Sequence, residues 1–280
     1  MTYFRYLITG GSGFLGQALI ERLLKNQYAE IIVVARNEGK LIELKQRFPT
    51  IEIVTGNIAD RSICERAIKD CCGVFHLAGF KHVGWAESQP MQCIETNITG
   101  TLNILSAAAL QKIDFVIGTS TDKAGRISGV YGATKFLMEK LFYQFEQFNS
   151  STKFRIVRYG NVIYSTGSVL EKWRKALRLN EPITITDENT TRFYWTVEQA
   201  VDLIFECLSL ADNSMPYCPK MKAIRLGDLL DCMREKYAVG TPKIRTIGIQ
   251  NGENQHETMD GHVFSNQVER YTREEIMTMI

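Results

Sequence analysis

The sequence predicts an α/β protein built on a doubly wound parallel sheet, and three observations carry that expectation. Short β-branched runs alternate with amphipathic helical stretches from the start of the chain to about Gly160, as successive βαβ units require. The run Ile31–Ala35 (IIVVA) is apolar throughout, which suits a strand covered on both faces. Gly10, Gly13 and Gly16 fall between the first strand-like and first helix-like segments. Glycines there permit a tight turn and let the backbone approach a pyrophosphate at the positive end of a helix. The fold class expected is thus Rossmann-type, with a smaller, less regular substrate-binding lobe behind it.

Taken in order, Tyr6–Thr9 reads as the first strand. Phe14–Lys25 reads as the helix behind it, with Leu15, Leu19 and Leu23 on one face. Ile31–Ala35, Ile51–Thr55, Gly73–Leu77, Phe115–Ser120 and Phe154–Tyr159 continue the strands. Lys40–Arg47, Arg61–Lys69, Met91 to about Ala109, and Tyr131–Phe148 are the intervening helices. Beyond Gly160 the alternation weakens to a short strand at Ile183–Ile185 and helices near Thr196–Leu210 and Asp228–Lys236. The expected division is a dinucleotide-binding domain over 1–160 and a substrate lobe over 161–280, some of whose segments return to the first domain. The last dozen residues are charged and read as poorly ordered.

Composition narrows the function. At 280 residues and 45% apolar, the chain can bury a full core. A net charge of +2 gives no global basic field, so no nucleic-acid partner is expected. Lys172-Trp173-Arg174-Lys175 reads as a solvated helix face. Seven cysteines without CxxC spacing suit reduced, buried thiols and no metal site. No secretory signal is evident, and no apolar run reaches the ~18 residues that span a bilayer. A soluble, cytoplasmic protein without membrane contact is expected.

Set between strand and helix, Gly10, Ser12, Gly13, Phe14, Leu15 and Gly16 make a candidate dinucleotide cradle. An acidic residue at the end of the second strand would meet a free ribose 2′-hydroxyl; Arg36 stands there instead. Its cation suits a 2′-phosphate, which favours NADP, although a merely solvated arginine is the competing reading. Asn97 falls inside a helix, where asparagine has poor propensity; a site-organising role and an ordinary polar position are equally good readings.

The chemistry centres on Thr119–Lys135, TSTDKAGRISGVYGATK. Tyr131 and Lys135 lie one helical turn apart on a shared face. The Lys135 ammonium is expected to stabilise the Tyr131 phenolate, lowering its pKa so that it takes a hydroxyl proton while hydride leaves. Thr121 can bond the same hydroxyl. Asp122-Lys123 could be a loop salt bridge or a cap. Equally, Lys123, with its pKa depressed by burial, could be a base and protonated Asp122 an acid for an elimination.

The runs STDKA and YGATK, with Lys81-His82-Val83, Arg158–Val162, Thr191-Arg192-Phe193 and Gly252-Glu253 to His256-Glu257, resemble the UDP-N-acetylglucosamine 4,6-dehydratases. These belong to the extended short-chain dehydrogenase/reductase superfamily, and the similarity is greatest to the small, soluble, C5-inverting branch. Relatives acting on dTDP-glucose typically carry Asp-Glu where this chain has Asp122-Lys123. The membrane-anchored, retaining relatives carry Met at the position of Tyr131.

The resemblance implies a cycle. Tyr131 deprotonates the C4 hydroxyl and hydride passes to NADP+. Lys123 removes the C5 proton while Asp122 protonates the departing C6 hydroxyl. Hydride then returns to C6, and a proton re-enters C5 from the opposite face. UDP-N-acetylglucosamine would become UDP-2-acetamido-2,6-dideoxy-β-L-arabino-hex-4-ulose. Asn57 and Ile58 fall in a segment similar to the superfamily's GD(V/I)xD adenine contact, with Asn57 replacing its first Asp. Leu77, Ala78 and Gly79 would line the cofactor, while Lys81 and Asn161 would meet the substrate. Arg192 would meet the diphosphate and Glu253 the uridine ribose. Homo-oligomers, hexamers among them, are also implied.

The pattern departs from GIRPGEKxHE, where Gln250 stands for the family's arginine and Asn254 for its lysine. Tyr164-Ser165-Thr166-Gly167 replaces a typical GSRG. A UDP-N-acetylhexosamine 4-epimerase would use Tyr131 and Lys135 but give Asp122 and Lys123 no acid–base task. A dinucleotide-binding protein without turnover would use neither pair.

Overall fold

A computed structural model describes residues 4–25, 29–149 and 151–280. Six parallel strands form the main sheet: β1 (Phe4–Thr9), β2 (Ala29–Ala35), β3 (Glu52–Thr55), β4 (Gly73–His76), β5 (Phe115–Thr121) and β6 (Lys153–Tyr159). Their spatial order is β3-β2-β1-β4-β5-β6, so the chain reverses direction across the sheet between β1 and β4. Such a switch point opens a crevice at the carboxyl ends of the strands. This is the Rossmann-type, doubly wound arrangement.

Both faces of the sheet are covered, which explains why its strands lack polar alternation. Successive residues enter opposite cores. Ile8, Val33, Phe75, Ile117 and Val157 face one cluster, whereas Leu7, Ile32, Val74, Val116 and Ile156 face the other. The first cluster is closed by α1 (Phe14–Leu24) and α2 (Glu38–Arg47), the second by α3 (Arg61–Ala67).

The helix expected from Met91 to Ala109 is longer and broken. It comprises α4 (Val83–Ser88), α5 (Pro90–Ile94), a π turn at Glu95–Thr99 and α6 (Gly100–Gln111). Pro90 opens α5 at a position where a missing N–H costs nothing. The long helix α7 (Val130–Phe148) carries Tyr131 and Lys135 in its first two turns.

The remainder of the chain adds β7 (Asn161–Val162), α8 (Val169–Leu179), β8 (Ile183–Ile185), β9 (Thr191–Trp195), α9 (Val197–Leu210), β10 (Ala223–Arg225), α10 (Leu226–Tyr237), β11 (Ile244–Thr246) and α11 (Arg273–Met279). α9 returns to the main sheet: its Val201, Ile204 and Cys207 join the cluster of Ile8 and Val157. Val162, Phe193 and Ala223 join that cluster too, and the rest of this region buries a third cluster, with Trp173, Leu177, Tyr194 and Leu230 among its members. Trp173 is therefore buried, and only its neighbours in the Lys172–Lys175 run form a solvated face.

The final residues are ordered, contrary to expectation. Thr272 and Glu275 form a reciprocal capping box at the start of α11, and Ile276 and Ile280 enter the third cluster. Their charged neighbours obscured an amphipathic helix. Among the described residues no helix is long and apolar enough to cross a membrane.

Candidate active site

A cavity of about 900 Å³ opens along the carboxyl ends of the main sheet and extends to the second lobe. At one end lies the β1–α1 turn. Gly10 has φ +71, and a Cβ there would come within 2.7 Å of Ala78 N. A Cβ on Gly16 would come within 2.5 Å of Gly11 Cα, so side chains at either position would spoil the turn. Gly13, the N-cap of α1, offers no side-chain acceptor, leaving first-turn N–H groups for a ligand. Gly10, Ser12, Phe14, Leu15, Arg36, Ile58, Leu77, Ala78 and Gly79 all line this end.

Arg36 is exposed on the rim and has no ion-pair partner among the described residues. Asn57 also lines the cavity, but its amide is engaged. Its Oδ1 accepts from Ala59 N at 3.1 Å and its Nδ2 donates to Glu95 Oε1 at 3.0 Å.

Asn97 is not on the wall. It lies buried in the π turn, accepts from Phe80 N at 2.7 Å, and donates to Phe80 O and Thr134 Oγ1. It organises the loop after β4, one of the two roles expected of it. Beneath that loop, fully buried His76 bridges β1 and α6. Thr101 Oγ1 donates to Asn97 O, so it must accept from His76 Nε2–H; Ala78 N donates to Thr9 Oγ1, which donates to His76 Nδ1. Burial holds the imidazole neutral, with a pKa lowered to about 3.

At the centre, Thr121, Lys123, Tyr131 and Lys135 share the cavity wall. Lys135 Nζ donates to Thr119 O at 2.8 Å, and burial lowers its pKa to about 8 despite the Glu139 carboxylate. Tyr131 does not have the lowered pKa expected of it. Burial pushes its phenol up to about 12, outweighing the Lys123 ammonium and the Thr121 hydroxyl that favour the phenolate.

Lys123 is also corrected. Burial disfavours its ammonium, but the Asp122 and Glu257 carboxylates outweigh burial and raise its pKa. It is a protonated lysine, 3.1 Å from Asp122 Oδ1 and 3.6 Å from Glu257 Oε1. Asp122 lies behind it, 0% exposed and off the cavity wall. Its Oδ1 also accepts from Thr121 Oγ1 at 2.9 Å, while Oδ2 has no hydrogen-bond partner among the described residues.

The far end belongs to the second lobe. Asn161, Arg192, Gln250 and Glu253 line it. Asn161 Nδ2 donates to Phe193 O at 3.3 Å. Arg192 is nearly buried, donates to Thr191 O and Gln255 O, and lies 3.6 Å from Glu253 Oε2. Gln250 turns back on its own loop, donating to Gly248 O at 2.9 Å, so it supplies no cation in place of an arginine. Lys81 Nζ donates to Thr166 O at 2.9 Å. Tyr159 and Tyr194 complete the wall and escaped the sequence reading, as did the buried carboxylate of Glu257. Tyrosines in β-strands carry no periodic mark separating a cavity wall from core.

The chain resembles characterised proteins over most of its length. A UDP-N-acetylglucosamine 4,6-dehydratase (inverting) of Campylobacter jejuni is 34% identical over 259 residues, covering 90% of this chain and 76% of that protein. A UDP-glucose 4-epimerase of Rickettsia bellii is also 34% identical, over 261 residues, with the same coverages. The X-ray structure of Pen from Bacillus thuringiensis superposes with a TM-score of 0.93 at 29% identity, covering 99% of this chain and 96% of that one. The family model for polysaccharide biosynthesis protein matches residues 6–279, and the chain belongs to that family.

Proposed function

We propose that the chain is an NADP-dependent UDP-N-acetylglucosamine 4,6-dehydratase that inverts C5. In this reading residues 1–160 hold the dinucleotide and 161–280 mainly hold the UDP-sugar. The observation that carries it is that Tyr131, Lys135 and Lys123 line one cavity, with Asp122 paired to Lys123 directly behind the wall. The turn from Gly10 to Gly16 would hold the pyrophosphate, and Arg36 the 2′-phosphate. Arg192 would hold the substrate diphosphate. When bound, a nicotinamide supplies the hydride acceptor and donor.

Tyr131 first releases its own phenol proton to solvent, and the phenolate, favoured by the Lys123 ammonium, then takes the proton of the C4 hydroxyl as that carbon is oxidised. The C4 ketone then acidifies the C5 proton. The Lys123–Asp122 ion pair contains a single mobile proton, which can cross their 3.1 Å contact to leave a neutral amine and a carboxylic acid. Lys123 takes the C5 proton, the C5–H electrons form the C5=C6 bond, and the C6 hydroxyl leaves as water with the proton from Asp122. The pair ends as the ammonium and carboxylate, the form that the raised Lys123 pKa favours. An epimerisation leaves this second pair without a task, whereas elimination uses both members.

The test is NMR of UDP-N-acetylglucosamine incubated with the purified protein. A new C6 methyl signal beside a 4-keto or hydrated carbon is the expected result. UDP-N-acetylgalactosamine appearing in its place would make the protein an epimerase, and unchanged sugar would set the proposal aside.

A further inference from the structure

Glu257 is 0% exposed and is held firmly by its backbone. Its N–H donates to Ser265 Oγ at 3.0 Å, and Ser265 N donates back to Glu257 O at 2.8 Å. Ser265 in turn bonds Thr191 at the start of β9. One carboxylate oxygen, Oε2, accepts from Asn254 Nδ2 at 3.3 Å. The other, Oε1, has no hydrogen-bond partner among the described residues and points between two cations, 3.6 Å from Lys123 Nζ and 4.0 Å from Arg192 Nε. A buried carboxylate oxygen left without a hydrogen bond is costly unless nearby positive charge compensates it.

We propose that Glu257 is a positioning residue for the elimination, the shared counter-ion that fixes Lys123 beside Asp122 and ties it to Arg192. The inference rests on the dehydratase reading. The charged and titratable groups facing Lys123 are Asp122 on its own turn, Tyr131 from α7, Arg192 and Tyr194 from β9, and Glu257. Of the two carboxylates, Glu257 alone is also paired with Arg192. It therefore couples the lysine assigned to the C5 proton with the arginine assigned to the diphosphate. Its negative charge favours the ammonium, so it also governs the pH at which Lys123 yields a proton.

Glu257→Gln keeps the shape and removes the charge. The direct experiment titrates the 13Cε resonances of labelled lysine in wild type and variant, with the Lys123 signal assigned by its loss in Lys123→Arg. The Lys123 midpoint is expected to fall by about one pH unit or more in Glu257→Gln, as loss of an opposite charge at this range predicts. Glu257→Asp, which retains the charge, should move it less. An unchanged or raised midpoint in folded Glu257→Gln, or equal shifts in both variants, overturns the proposal. This readout is independent of the sugar used, so it stands apart from the methyl-signal test of the dehydratase reading. During turnover, the pH midpoint of methyl formation should move down with the titration, while the 340 nm absorbance marking C4 oxidation still appears.

Discussion

Lys123 Nζ donates to Asp122 Oδ1 at 3.1 Å, and Asp122 itself is 0% exposed. An acid so placed must work through or beside its lysine. Asp122→Asn keeps the shape and removes the proton store, so methyl formation should fall by ~10²–10⁴-fold. Lys123→Ala should abolish water loss while NADP still binds. Unimpaired product in either variant would remove that residue from the elimination.

Tyr131→Phe should fail one step earlier. Without the phenol no C4 oxidation occurs, so neither the 340 nm absorbance nor the methyl signal develops. Asp122→Asn should retain the absorbance change and lose only the methyl signal. Stopped-flow absorbance on the two variants separates the redox pair from the elimination pair.

Arg36 offers a cation just past β2 with no ion-pair partner among the described residues. Arg36→Glu would present a carboxylate to the adenosine ribose, accepting from a free 2′-hydroxyl and repelling a 2′-phosphate. Affinity for NADP should drop by about 1–3 kcal/mol relative to NAD, the scale of one charge-assisted contact. Calorimetric titration of both dinucleotides checks it, and an unchanged preference would place the selectivity elsewhere.

His76 gives a stability prediction. Its folded pKa, about 3, lies below the unfolded value near 6.5, because burial disfavours the charged ring and the Lys135 ammonium repels it. As pH falls below 6.5 the unfolded chain takes the proton first. This contribution to stability is therefore complete above pH 6.5 and is lost between there and pH 3, at about 1.4 kcal/mol per pH unit. Urea unfolding at pH 7.5, 6 and 5 should show a steeper decline for wild type than for His76→Gln. Parallel declines would mean that other groups carry the acid sensitivity.

The main sheet was legible because strands buried on both faces must be apolar throughout, as Ile31–Ala35 is. The glycine turn was legible because a close approach at Gly10 and Gly16 admits no side chain. Tyr131 and Lys135 were legible from their helical spacing. What the sequence concealed was long-range. The raised pKa of Lys123 owes most to Asp122 beside it but also draws on Glu257, more than a hundred residues away in the chain. Asn97 stood out because helices disfavour asparagine, but the sequence left a site-organising role and an ordinary polar position open; its bonds to the Phe80 backbone, set by the fold, decide for the former. The capping box of Thr272 and Glu275 was visible as T-x-x-E but lay within a charged run that hid the buried Ile276.

The π turn at Glu95–Thr99 holds one residue more than an α-helical turn would. That extra residue sets the rotational phase of everything before it. Deleting one residue from the turn would wind the helix back to regular spacing and swing Asn97 by about 100°, away from Phe80. The loop carrying Ala78 and Gly79 would then lose its tether, although every side chain lining the cavity remained in the sequence. Chain length at this point is a specification of the site as binding as any residue identity.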